Sequence, residues 1–297
     1  MVLRFAKAPV RAAFHTAFRI CLHIQCWYAD QFGKTRSSDP IPPAMLRFRV
    51  SESLAVDDFL RIGSGCATLI EQQIDAMALD LAHAHRVLDF GCGCARIMRW
   101  FLRSELENVE FHGVDVDREA IHWCQSHLVK GHFLATDPAP PLPYPDDHFD
   151  IVYCLSVFTH LDESMQDLWL RELMRVLKPG GAILISVHGN AAARDLDMRG
   201  IQTLQAKGFL HRRSKKLKGI LPDWYQTTWH AEEYIISRVS RWFAEVRYRV
   251  IPDGAQDLVM ARRPQTGQER PAWTPDLDCH GSVSAERGGS LSVGPHI

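Results

Sequence analysis

Residues 87–96 read Val87-Leu-Asp-Phe-Gly-Cys-Gly-Cys-Ala-Arg96. A short apolar strand ends in an acidic residue, a Gly-x-Gly turn follows at once, and an amphipathic run begins at Ile97. Strand, tight glycine loop and helix start, in that order, let a backbone come close to a nucleotide-like ligand. Gly91 and Gly93 are therefore ligand-binding candidates. The third glycine of a dinucleotide fingerprint would fall at position 96, where the chain has arginine, and that glycine is the one that permits close helix–strand packing. Asp89 argues the same way, because a carboxylate beside the loop suits a cationic ligand better than a pyrophosphate.

Outward from this loop the chain alternates. Strands are expected at 86–90, 109–114, 132–135, 149–154 and 182–187, with helices at 96–103, 118–128 and 163–177. Lys178-Pro-Gly-Gly181 supplies the breakers that end the last of these helices. Such alternation predicts a parallel sheet with helices on both faces. Residues 243–250 and 258–261 read as two more strands, and Pro252-Asp-Gly254 between them is too short for a crossover, so this pair is antiparallel. The expected fold class is α/β: a doubly wound, mostly parallel seven-stranded sheet with an antiparallel final strand. A further helix at 64–77 is placed to lie over the ligand site.

The 297 residues divide into a basic N-terminal extension at 1–43, one domain at 44–263 and a tail at 264–297. The tail is rich in Gly, Pro, Ser and charge, which predicts disorder. Residues 1–29 carry Arg4, Lys7, Arg11 and Arg19 and no carboxylate. They fit a membrane-surface helix, a transit peptide, or a helix packed beside the domain. Asp39-Pro-Ile-Pro-Pro43 breaks any helix there. Lys plus Arg number 34 against 35 Asp plus Glu, so bulk charge offers nothing to a nucleic acid. No apolar run approaches the roughly 20 residues that span a bilayer. The eight cysteines include no Cys-x-x-Cys pair, which predicts reduced thiols in a cytoplasmic protein and no zinc site.

Asp115 closes the second strand, 22 positions after Gly93, where a carboxylate can accept both hydroxyls of a ribose. Further on come Leu142-Pro143, Phe149-Asp-Ile-Val152, His160-Leu161 and Arg175-Val-Leu-Lys-Pro-Gly-Gly181. Together with the glycine loop, whose last glycine is replaced by Ala95, this succession resembles the class I S-adenosylmethionine-dependent methyltransferases over about residues 44–263. The resemblance implies a Rossmann-like methyltransferase fold and S-adenosyl-L-methionine as cofactor. It also implies an adenine contact from Thr136 or Asp137, and it adds Cys154, at the end of the fourth strand, to the cofactor-binding candidates. A Pro-Pro-aromatic run at Pro140-Pro-Leu-Pro-Tyr144 precedes the fourth strand instead of following it, so an amino-methylating nucleic-acid enzyme is not indicated.

Methyl transfer needs mainly that nucleophile and methyl be held in contact, with a base where the nucleophile carries a proton. His160 and His188, after the fourth and fifth strands, are the catalytic candidates. The acceptor pocket is expected from 189–235, with Tyr225 and Trp229 sharing a helix face, His230 beside them, and the cations at 212–218 favouring an anionic small molecule. Two other readings stay open: an NAD(P)-dependent oxidoreductase, and a non-catalytic adenosyl-binding or scaffold protein.

Overall fold

Alternating side chains decide the layers. In β1 (Arg86–Phe90), β2 (Glu110–Asp115), β3 (His132–Ala135), β4 (Phe149–Cys154) and β5 (Leu177–Val187) successive residues face opposite sides. Val87, Phe111, Ile151, Tyr153 and Leu184 enter one buried cluster. Leu88, Val114, Val152, Cys154, Ile183 and Ile185 enter the other. Both faces are covered, which is why these strands read as nearly continuous apolar runs. The computed structural model describes residues 8–33, 39–103, 106–213, 226–251 and 255–267.

Strand order is β3-β2-β1-β4-β5-β9-β8, with β8 at Ala244–Arg249 and β9 at Asp257–Arg262. The first five are parallel. β9 runs antiparallel to β5, Ala182 opposite Arg262 and Val187 opposite Asp257, and β8 pairs antiparallel with β9. This is the expected doubly wound sheet. The order reverses between β1 and β4, and open α/β sheets bind ligands at the carboxyl ends of the strands flanking such a point.

On one face lie α3 (Val56–Ala76), α4 (Met98–Phe101) and α5 (Arg118–His127); on the other lie α6 (Glu163–Val176) and α8 (Glu232–Val239). Asp117 caps α5 by accepting from Glu119 and Ala120 N–H, and Asp162 caps α6 through Met165 N–H. Glu172 on α6 accepts from Leu142 N–H at 2.7 Å and pairs with Arg175, whose guanidinium donates to the carbonyls of Leu142 and Tyr144. The proline-rich segment before β4 is thus stapled to α6. Glu172 and Arg175 therefore hold that segment in place.

Three boundaries depart from the sequence pattern. The helix expected at 96–103 contracts to α4, because Ala95 (φ +55°) and the glycines keep the preceding residues in turns. β5 starts at Leu177, not 182: Lys178-Pro-Gly-Gly181 continues as an extended arm in which Gly180 N–H donates to Arg263 O and Arg263 N–H to Gly181 O. The helix expected at 64–77 begins eight residues earlier, at Val56.

At the N-terminal side, α1 (Ala8–Phe32) packs on α2 (Ala44–Ser51) through Leu22, Cys26 and Ala44. Between them the prolines run extended, held by two buried arginines. Arg47 donates to Pro42 O at 2.5 Å and to Leu54 O at 2.8 Å, and Arg99 donates to Pro40 O at 2.5 Å. The expected tail disorder falls on residues that, beyond 267, lie outside the described ones. Among the described residues, no helix is long and apolar enough to cross a membrane.

Candidate functional site

The glycine loop sits at the carboxyl end of β1. Gly91 and Cys92 N–H both donate to Val114 O, at 2.8 and 3.0 Å, which folds the loop back on β2. Gly91 and Gly93 have φ of +84° and +52°, a region that only glycine enters without steric cost. Gly93 N–H donates to Asp115 Oδ2 at 2.7 Å, and Asp117 N–H donates to Asp115 Oδ1 at 2.8 Å. Asp115 is therefore pre-set beside the loop. Its carboxyl is raised above the ordinary value by burial.

Asp89 lies beneath. Pairing opposite Tyr153 on β4 and Gly113 on β2, it is 3% exposed, and the Tyr153 hydroxyl beside it is its side-chain hydrogen-bond partner. Burial pushes its carboxyl up to about 8, and the charge of Asp115 adds to the rise. Hydrogen bonding to Tyr153 only partly opposes the rise, so a carboxylate buried this deeply must either keep a proton or meet a cation.

Two side chains cover the loop. A Cβ built on Gly91 would stand 2.1 Å from Val157 Cγ2, and one on Gly93 would stand 2.6 Å from Val50 Cγ1. Val50 belongs to α2, which Arg49 holds in place by reaching Asp117 at 2.9 Å and Glu119 at 2.8 Å across to α5. Arg96, which occupies the third-glycine position, also donates to Val50 O. Clefts of about 300 and about 490 Å³ open elsewhere, the first beside Arg262 and the second beside His112 and His132, and neither borders the loop. In this conformation α2 closes the loop side of the site.

The other half of the site is a ribbon that the sequence pattern did not reveal. β6 (Phe209–Arg212) and β7 (Thr227–His230) pair antiparallel, and β7 crosses the ends of β4 and β5. Thr228 N–H donates to Thr159 O, and His230 N–H donates to His188 O. His160 Nδ1 lies 2.6 Å from Gln226 O and His188 Nδ1 lies 3.1 Å from Thr228 O. A carbonyl only accepts, so in both rings Nδ1 carries the proton and Nε2 is the acceptor nitrogen. Burial lowers the pKa of both, which keeps the rings neutral near pH 7. Two base-competent imidazoles thus flank one strand at the mouth of the sheet.

Other expected residues are placed differently. His230 is fully buried and bonds Gln166 through Nε2 at 2.9–3.1 Å, so it ties β7 to α6 and does not line an open pocket. Trp229 is on a strand, not a helix face, with its indole N–H on Ala192 O at 3.1 Å; Tyr225 lies outside the described residues. Local spacing of four could not distinguish strand from helix here. Asp137 is exposed and stands 3.7 Å from Arg118, whereas Thr136 is half-buried and donates its N–H to Asp115 O. The Cys154 side chain is wholly buried in the β-sheet core. Of the cations at 212–218, Arg212 pairs with Asp197 and 214–218 lie outside the described residues.

Sequence reasoning missed a polar group at the same end of the sheet. Ser186 Oγ donates to Gln256 Oε1 at 2.6 Å, Ser156 N–H to Ser186 Oγ at 2.7 Å, and Tyr248 O–H to the buried Asp257 at 2.7 Å. These partners come from β5, β8, β9 and the loops that follow β4 and precede β9, so no local motif announces them.

Residues 87–181, the glycine loop through the Lys-Pro-Gly-Gly arm, match the family model described as a methyltransferase domain. The segment is a methyltransferase domain. Outside that segment, β9 completes the sheet as the antiparallel strand that the resemblance to class I S-adenosylmethionine-dependent methyltransferases implies. This methyltransferase domain is similar to the methyltransferase GfsG of Streptomyces halstedii, 32% identical over 36% of this chain and 39% of that protein. It is also similar to the fatty-acid O-methyltransferase of Mycolicibacterium smegmatis, 33% identical over 33% of this chain and 35% of that one. The chain thus spans less than two fifths of these curated relatives. A solved structure from Nostoc punctiforme shares the fold, with TM-score 0.51 and 16% identity over 80% of this chain and 67% of that one.

Proposed function

We propose that the protein transfers a methyl group from S-adenosyl-L-methionine to an oxygen, nitrogen or sulfur atom of a small-molecule acceptor by direct in-line displacement. The observation that carries this reading is Asp89: a carboxylate buried under a glycine loop, met at the rim by Asp115. Such a site suits a ligand that brings both positive charge and ribose hydroxyls. When bound, S-adenosylmethionine supplies an activated methyl on a sulfonium. Asp89 would balance the positive charge, Asp115 would accept the ribose hydroxyls, Gly91 and Gly93 would let the backbone approach, and the Thr136–Asp137 turn would face the adenine. His160 or His188 would take the proton of the nucleophile through Nε2, since Nδ1 of each is tied to a carbonyl. The relative named for O-methylation of a fatty acid is in keeping with an oxygen nucleophile.

The test is calorimetric titration with S-adenosylhomocysteine and with NADH, followed by mass spectrometry of a metabolite mixture incubated with the protein and cofactor. Adenosyl binding together with a metabolite gaining one methyl supports the reading. NADH binding alone sinks it, and adenosyl binding without methyl gain across acceptor classes would favour a non-catalytic binding protein.

A further inference from the structure

The face of α1 turned away from the domain carries a run of large apolar side chains. At 3.6 residues per turn, Ile20, Ile24, Trp27 and Tyr28 fall on the side opposite Leu22, Cys26 and Ala29. Leu22 and Cys26 are 5% exposed against α2, whereas Ile20, Ile24, Trp27, Tyr28 and Phe32 are 57–62% exposed. The Tyr28 and Phe32 rings stand 4.8 Å apart and those of Trp27 and Phe32 stand 6.1 Å apart, joining these side chains into one patch. Eleven large apolar side chains are exposed among the described residues, and six of them, Phe18 included, are on this helix. Scattered exposure is ordinary, but a contiguous apolar patch marks a docking surface.

Charge identifies the occupant. Residues 1–29 carry Arg4, Lys7, Arg11 and Arg19 without a single carboxylate, although the whole chain is nearly neutral. A second copy of residues 1–29 would bring a second set of four cations and no carboxylate to balance them. A negatively charged lipid surface instead meets both features: cations for the headgroups, and Trp and Tyr for the boundary between headgroup and acyl chain. We propose that α1 docks the protein on anionic membrane surfaces, lying in the interface with Ile20, Ile24, Trp27, Tyr28 and Phe32 inserted. It does not cross the bilayer. Because α1 packs on α2, and α2 on the glycine loop, docking sets the closed side of the methyltransferase domain beside the membrane.

The experiment is co-sedimentation of the full chain with phosphatidylcholine vesicles that contain phosphatidylglycerol, against vesicles of phosphatidylcholine alone. The protein is expected to sediment with the anionic vesicles and to be released by salt. Ile24→Asp with Trp27→Asp should lower partitioning by about tenfold or more. Arg11→Glu with Arg19→Glu should do the same on anionic vesicles. Melting temperature and S-adenosylhomocysteine affinity of the Ile24→Asp with Trp27→Asp variant should stay at wild-type values, since both side chains are exposed. Wild-type protein that stays in the supernatant overturns the proposal, as does equal binding to both vesicle types. A dimer that dissociates on Ile24→Asp with Trp27→Asp, without vesicle binding, would overturn it in favour of a second copy.

Discussion

Asp115 Oδ2 accepts the Gly93 N–H at 2.7 Å, so the carboxylate that closes β2 is fastened to the loop that leaves β1. With Asp117 N–H on its other oxygen, the side chain is spoken for by backbone on both sides and cannot swing away. Replacing it with Asn leaves one acceptor where two N–H groups point. Asp115→Asn is expected to weaken S-adenosylhomocysteine binding roughly 5- to 150-fold, the 1–3 kcal/mol cost of an unsatisfied buried group. Calorimetry checks this; unchanged affinity in a folded variant removes Asp115 from the site.

Asp89 makes cofactor binding depend on pH. Its carboxyl titrates at about 8 in the free protein because it is buried, and a cation placed beside it lowers that value. Affinity for S-adenosylmethionine should therefore rise with pH by up to about tenfold per unit until about pH 8 and level off above. Titrations in buffers of different ionisation enthalpy should show proton release on binding, and Asp89→Asn should abolish both effects. The same shift has a stability consequence. A native carboxyl raised above its unfolded value binds more protons folded than unfolded, so it subtracts stability as pH rises from about 4 to about 8. Asp89→Asn should melt higher than wild type at pH 8.5 and no higher at pH 4.

Gly91 is constrained twice. Its φ of +84° costs a residue with a side chain about 1–2 kcal/mol, and a Cβ would lie 2.1 Å from Val157 Cγ2. Gly91→Ala should destabilise by more than the conformational cost alone. Adding Val157→Ala should recover only the collision, giving a favourable coupling in a double-mutant cycle of thermal or denaturant unfolding. Strict additivity would show that Val157 does not wall the loop.

His230 predicts acid sensitivity. Burial holds its imidazole down at about 3, against about 6.5 in the unfolded chain. Between those values the unfolded chain takes a proton that the native state refuses, so stability is lost as pH falls from about 6.5 and is flat above. His230→Phe should shrink the fall in melting temperature between pH 7.5 and pH 4.5 by on the order of 5 °C. It should also cost about 1 kcal/mol at pH 7 through the lost Gln166 bond. An identical pH profile in the variant would mean that the ring already takes up protons in the native state.

What the sequence alone determined is what short-range physics encodes. The apolar run of β1, the positive-φ glycines at 91 and 93, and the acid closing β2 each act within a few residues of themselves. The short link before β9 could only reverse direction, so the antiparallel final strand on a mostly parallel sheet was legible. Tertiary structure decided the rest, because the deciding partners are far apart in the chain. Strand β7 is a strand because β6 and the loops at Thr159 and His188 supply its hydrogen bonds, and nothing in the spacing of Trp229 and its neighbours says so. His230 is a core residue because Gln166, 64 positions away, meets it. Asp89 was legible as an acid beside the loop, but its burial between β2 and β4, which raises its pKa, is a consequence of packing that no local pattern carries.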